Sequence, residues 1–244
     1  MKLTLNKTSF VNNLISPVSK IADNILLDFQ RESISSDRWI IKTLVTSSDN
    51  SVILLGSTSC NAQNPVKCII PDCKTFLRLF SGIEQEDIVL DIESNAIKYT
   101  NHNFSFKYYL LDESYIVNKK SISEEKLNQL SFDTTFYLTK QKLSEIIKFN
   151  SIIPDAEKIY FVSENNNILA KIGDEQKTNT NEIVTQISDK FIGKELPEKF
   201  PLNIQNILLF SFGNEDITVK INHQLKVFKF ETPNLSYIVS GLVK

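Results

Sequence analysis

Glycine is scarce in this chain: six residues in 244, at Gly56, Gly82, Gly173, Gly193, Gly213 and Gly241, none close to another. A phosphate-cradling loop needs several glycines within one turn, because only backbone without Cβ atoms lets several amides reach the anion together. P-loop and dinucleotide-binding chemistry is therefore excluded, and turns are expected to use Asn, Asp and Ser, which tolerate left-handed backbone. Arginine is scarcer still, with Arg31, Arg38 and Arg78 the only three among 27 cationic residues. Few bidentate forks are available to read guanine or clamp phosphate, so any nucleic-acid contact is expected to be diffuse and sequence-blind.

Histidine occurs only as His102 and His223, and cysteine only as Cys60, Cys68 and Cys73. Three thiols cannot all pair, and their spacing lacks the paired CxxC units of structural zinc sites. No metal and no cofactor is expected, and the thiols read as free in a reducing compartment. No apolar run approaches the roughly 20 residues of a membrane span, and residues 1–13 lack the apolar core of a signal peptide. A cytoplasmic protein with no membrane partner is expected. Carboxylates are plentiful, but Glu84, Glu86 and Asp87, like Glu215 and Asp216, stand just before strand patterns with no histidine beside them. No catalytic residue is expected, and the chain is not read as an enzyme.

Hydrophobic residues at 41% and charged residues at 23% are ordinary for a globular protein. The length has room for two domains of about 120 residues. A pattern drawn twice supports that division. Phe80-Ser81-Gly82 leads through Glu86-Asp87 into Ile88, Leu90 and Ile92, turns at Ser94-Asn95 and returns through Ile97 and Tyr99. Later, Phe212-Gly213 leads through Glu215-Asp216 into Ile217, Val219 and Ile221, turns at Asn222-His223-Gln224 and returns through Leu225 and Val227. A further strand follows in each, with Phe104, Phe106 and Tyr108 in the first and Leu235, Tyr237 and Val239 in the second. Such alternation reads as strands with one face on a core.

The first halves match in order. Asn6 and Thr139 are helix-capping residues, opening helical patterns that carry Phe10, Leu14 and Ile15, and Leu143, Ile146 and Ile147. A hairpin from Ile40–Thr46 to Val52–Leu55 is paired with one from Ile159–Ser163 to Ile168–Lys171. Gln30–Asp37 reads as a solvated excursion, and a helical turn is expected near Glu124–Gln129. The expected organisation is a first domain over 1–111, a connector over 112–133 and a second domain over 134–244.

Each expected helix has an apolar face and a polar one. In the second, after Pro71-Asp72, Phe76, Leu77 and Phe80 face inward while Lys74 and Arg78, four apart, form a cationic stripe. In the third, Gln141, Glu145 and Lys148 lie opposite the core, with Lys142 on the flank. The first exposes Ser9, Asn12 and Ser16, with Lys20 beyond its end; the fourth, near Leu202–Leu208, exposes Asn203 and Asn206. For any one helix a polar stripe is an ordinary solvated face. Four such stripes on one surface would suit contact with a phosphate backbone that is touched without being gripped.

The chain resembles the sliding clamps of tailed phages, relatives of proliferating cell nuclear antigen. The likeness rests on the Met1-Lys2-Leu3 strand running into the 6–15 helix and on Ile159-Tyr160-Phe161-Val162 turning into Ile168-Leu169 after the 138–148 helix. The ending Leu235-Ser236-Tyr237-Ile238-Val239-Ser240 is also similar. The resemblance implies an α+β DNA-clamp fold: two similar domains, each with two helices packed on antiparallel sheet, and a ring of three subunits joined head to tail. It implies a processivity factor that encircles duplex DNA and has the DNA polymerase and clamp loader as partners. In some phage relatives a transcription role is added. On this reading Asn12, Lys20, Lys74, Arg78, Lys142 and Lys148 face DNA. An apolar pocket for partner peptides would involve Tyr115, Ile116, Val117, Tyr237, Val239 and Leu242. The alternative class is a β-rich structural or assembly protein of a virus particle, distinguished by strands closing without helices on one inner surface.

Overall fold

The computed structural model describes residues 1–33, 35–112, 122–173, 181–210 and 215–242. Two compact units result, Met1–Glu124 and Glu125–Lys244, dividing inside the expected connector. Tyr115, Ile116 and Val117 lie outside the described residues, as do Phe212 and Gly213.

Unit 1 begins with β1 (Lys2–Asn6) and one helical stretch over 7–18 made of α1 (Lys7–Phe10), a π-helical turn Val11–Ile15 and α2 (Ser16–Val18). Then follow β2 (Ile25–Arg31), β3 (Trp39–Thr46), β4 (Val52–Cys60), β5 (Val66–Ile70), α3 (Cys73–Ser81), β6 (Asp87–Ile92), β7 (Ala96–Thr100) and β8 (Ser105–Tyr109). They form antiparallel sheets in the orders β1-β6-β7-β8 and β4-β3-β2-β5.

The second unit opens within the helical turn α4 (Glu124–Asn128), where a helix was expected. It continues through β9 (Thr134–Leu138), α5 (Lys140–Ile152), β10 (Lys158–Glu164), β11 (Asn167–Ile172), β12 (Ile183–Ser188), β13 (Ile192–Gly193) and β14 (Phe200–Asn203). The last elements are α6 (Ile204–Leu208), β15 (Ile217–Asn222), β16 (Val227–Glu231) and β17 (Leu235–Ser240). Its strand orders are β9-β15-β16-β17, extended by the two-residue β13, and β12-β11-β10-β14. Strand for strand, this repeats unit 1. The repetition reaches single hydrogen bonds: past β8 the Leu111 amide donates to Ile69 O at 3.1 Å, and past β17 the Leu242 amide donates to Pro201 O at 2.9 Å.

Helix starts repeat as well. Asn6 Oδ1 accepts from the Ser9 amide at 2.9 Å, and Thr139 Oγ1 from the Lys142 amide at 3.2 Å, as both residue types predict. The acidic pairs before β6 and β15 turn out to anchor those same first turns. Glu86 Oε2 accepts from Thr8 Oγ1 at 2.6 Å, and Asp216 Oδ1 from the Lys140 amide at 2.9 Å. A carboxylate beside unpaired helix amides is stabilised by the positive end of the helix dipole, and the Thr8 hydroxyl holds the Glu86 carboxyl below its usual pKa. Thr139→Ala is expected to cost about 1 kcal/mol in chemical denaturation, and Thr139→Ser a few tenths at most.

Several expectations are corrected. Gln30–Asp37 is not wholly an excursion, since β2 runs to Arg31 in the middle of a sheet with Ile25, Leu27 and Phe29 buried. The counterpart of the β3–β4 hairpin is therefore β11–β12, one strand further than the paired hairpins suggested. Leu225 is a turn residue, 56% exposed, and the inward residues of β16 are Phe228 and Phe230. Leu202 belongs to β14 rather than the fourth helix, and Leu77 and Ile147 are only half-buried. The Asn-rich turns are as expected, with Asn50, Asn165 and Asn166 at φ of 59°, 51° and 65°.

The two cores are filled differently. In unit 1 aromatic rings pack between the helices, Phe10 lying 6.2 Å from Phe76 and 5.5 Å from Phe80. In unit 2 the helices contribute Leu143, Ile146, Ile204 and Ile207, while the rings gather on strands, Phe161 lying 6.0 Å from Phe136 and 5.4 Å from Phe228. One topology is thus satisfied by two packings, so the first halves of the copies match in order and not in residues.

Candidate nucleic-acid interface

Phe10, near the start of the 7–18 helix, meets Phe80 near the end of α3, while the Cys73 amide at the start of α3 donates to Asp23 O at 2.8 Å. The two helices of unit 1 therefore run antiparallel, buried through Phe10, Leu14, Phe76 and Phe80. Their water-facing sides carry Asn12, Lys20, Lys74 and Arg78, all exposed. The cationic stripe is tempered, because Lys74 Nζ stands 3.4 Å from Asp23 Oδ1. Lys20 is exposed, yet the atoms around its ammonium desolvate it enough to lower its pKa to about 8. It loses charge in mildly alkaline solution. Asp72 caps α3 through the Thr75 amide at 3.0 Å and its hydroxyl at 2.6 Å; these bonds hold its carboxyl below the usual value, with a smaller push from Arg78.

In unit 2, α5 packs against α6. Lys142 Nζ is 2.7 Å from Glu145 Oε2, and Gln141 donates to the same carboxylate at 3.2 Å, which keeps Glu145 ionised below its usual range. Lys148 is exposed one turn on. The fourth helix differs from expectation: Asn203 is its N-cap, accepting from the Gln205 amide at 2.9 Å, and Asn206 is half-buried. Gln205 is the exposed residue. The structure thus joins Asn12, Lys20, Lys74 and Arg78 on one helix pair and Lys142 with Lys148 on another, with Asp23 beside Lys74 and Glu145 beside Lys142.

The expected peptide pocket is not supported by its second half. Tyr237 is 4% exposed, 4.7 Å from Phe210 in the core of unit 2, and Val239 is fully buried. Alternation along β17 turns both inward, so neither side chain can line a surface pocket; Leu242 is half-buried. Burial pushes the Cys60 thiol up to about 11 and those of Cys68 and Cys73 to about 12. All three are free and poorly nucleophilic.

Two features escaped the sequence reading. Among the described residues β8 and β12 are end strands of their sheets, and they carry exposed apolar side chains, Tyr109 at 61% and Val184 at 50%. An end strand presents unpaired backbone donors and acceptors to a further chain. The Tyr108-Tyr109 pair was the signal for β8, one ring facing in and one out. β12 follows the polar run 174–181, which hid it.

No family model and no curated protein sequence matches the chain. Solved structures do. Proliferating cell nuclear antigen from A. fulgidus, in a structure with the C-terminal region of FEN-1, is similar with a TM-score of 0.78 at 12% identity, over 100% of this chain and 98% of that one. The Bacillus subtilis DNA polymerase sliding clamp gives 0.75 at 13% identity over 100% of this chain and 64% of its own. The Helicobacter pylori β clamp bound to a DNA ligase peptide gives 0.70 at 14% over 99% and 66%. The chain spans about two thirds of the length of these bacterial clamps and nearly all of the archaeal one. Its fold is the DNA-clamp fold, two repeated α+β units each with a helix pair on antiparallel sheet. Among the described residues no helix is long and apolar enough to cross a membrane.

Proposed function

We propose that three copies of this chain close head to tail into a ring around duplex DNA and tether a DNA polymerase to its template, doing no chemistry themselves. The observation that carries the proposal is the full-length match to a two-unit clamp subunit, 98% of the archaeal chain being covered. The open edge β8 belongs to unit 1 and the open edge β12 to unit 2, so a contact between them joins unlike surfaces. Such a heterologous contact builds a ring when its rotation closes. The helix pair in each unit favours a clamp over a particle protein lacking inner helices.

Asn12, Lys20, Lys74, Arg78, Lys142 and Lys148 are the proposed DNA-facing residues. A formal charge of −2 and cations already paired with Asp23 and Glu145 suit this task. Linkage by topology holds the ring on DNA, and strong phosphate contacts would hinder sliding. A clamp loader is the partner that would open the ring, and polymerase and loader peptides would dock through apolar side chains on a surface that excludes Tyr237 and Val239.

Loading onto nicked circular DNA, followed by gel filtration before and after linearisation, tests the proposal. The protein should co-elute with the circle and be lost from the linear form. Equal retention on both would mean ordinary DNA binding and end the ring reading. Combined Lys74→Gln, Arg78→Gln and Lys148→Gln changes should shorten primer-extension products by about tenfold at moderate salt, three phosphate-facing charges being lost. The assembly mass should be unchanged.

A further inference from the structure

The two end strands β8 and β12 differ in charge. The outward residues of β8 are Ser105, Lys107 and Tyr109; those of β12 and the residue before it are Glu182, Val184 and Gln186, and all are exposed. Lys107 stands directly opposite Lys98 in the β7–β8 register, and like charges so placed repel. Glu93 relieves Lys98 through an ion pair. Lys107 has the face of Tyr109, its ammonium 4.8 Å from the ring centre, and no carboxylate within ion-pair distance among the described residues. Glu182 is the converse case. Lys171, opposite Val184 on β11, is taken by Glu164 at 3.7 Å, and no cation among the described residues is within ion-pair distance of Glu182.

Neighbouring charges leave these signs in place. Asp112 follows Leu111, which has left the β8 line to pair with Ile69 of β5. Asp189 and Lys190, just past β12, cancel, and in the sequence before it Asp174 and Glu175 outnumber Lys177. The edge of β8 thus carries one unbalanced positive charge and that of β12 one unbalanced negative charge. Open edges pair with other open edges, so two copies have three choices: β8 on β8, β12 on β12, or β8 on β12. Like pairing brings two surplus charges of one sign onto a single narrow ladder. Unlike pairing brings opposite charges together on one face of the joined sheet, where a lysine and a glutamate reach each other from opposite or diagonal positions.

We propose that Lys107 of one copy and Glu182 of the next form an ion pair that favours joining unlike edges over like ones. The inference rests on the ring reading and adds the residues that make the two edges choose each other. Charge reversal in the full chain, followed by sedimentation velocity across a concentration series, tests it. Lys107→Glu and Glu182→Lys each set like charges across the contact and should weaken association roughly tenfold. The double variant restores opposite charges and should associate within roughly threefold of the parent. Folding is separated from assembly by Lys107→Glu itself, which puts a carboxylate opposite Lys98, so the lone subunit should melt no lower than the parent while associating less tightly. A parent chain that stays monomeric throughout overturns the ring and this pairing together. A parent that assembles overturns the pairing alone if either single variant matches it, or if the double variant stays as weak as the singles.

Discussion

On the proposed ring, the Tyr109→Asp, Val184→Asp double variant is expected to stay monomeric at concentrations where the parent chain assembles. Tyr109 is 61% exposed on β8 and Val184 50% exposed on β12, so within one subunit both changes touch little and the fold should keep its melting temperature within a few degrees. In the proposed ring the two strands are neighbours. Each interface then loses two apolar contacts, of the order of 1.5–3 kcal/mol for a fully buried side chain. It also gains two carboxylates, which must leave water and face one another. Like charges on adjoining strands are destabilising in their own right. The summed penalty corresponds to a loss of about a thousandfold in association at each interface. Light scattering across a concentration series measures it, and retention on circular DNA should fall to that on linear DNA. An unchanged trimer mass would show that subunits meet elsewhere.

Much of the fold was legible because its signals are local. Ile88, Leu90 and Ile92 against Ile217, Val219 and Ile221 place two equivalent strands by alternation alone, and Asn6 and Thr139 mark helix starts through a side-chain oxygen. What failed depended on partners distant in sequence. β2 sits between β3 and β5, but Asp28 and Gln30 interrupt its apolar run on the outer side and Arg31 ends the inner one, so its strand character depends on neighbours supplied by folding. The β15–β16 return slipped by one residue because the turn extends through Lys226 at φ 53°, a left-handed position lacking the usual Gly or Asn. In the candidate interface, Lys74 and Arg78 were readable from helical spacing. The Asp23 carboxylate beside Lys74 was not, since that pair joins residues 51 apart in the chain. Tyr237 and Val239 were misassigned to a surface because a strand pattern gives period without saying which side is covered.

Phe76→Ala should be the most damaging single change in unit 1. The ring is fully buried, 4.9 Å from Phe80, 4.9 Å from Tyr108 and 6.2 Å from Phe10. Truncating a buried phenylalanine costs about 3–5 kcal/mol, since the transfer free energy is lost and a cavity remains. The cavity borders Tyr108, whose hydroxyl donates to Asp72 O at 2.8 Å and accepts from the Asp72 amide at 3.1 Å. Asp72 in turn caps α3, so loosening that tyrosine frees the helix start from which Lys74 projects. Tyr108→Phe removes this latch without the cavity and should cost only about 1 kcal/mol. The contrast separates packing from hydrogen bonding. Because each unit has its own core, hydrogen exchange in Phe76→Ala should lose protection across Met1–Glu124 before Glu125–Lys244. Simultaneous loss in both would mean that the duplicated units unfold as one, with the aromatic cluster of unit 1 supporting the whole chain.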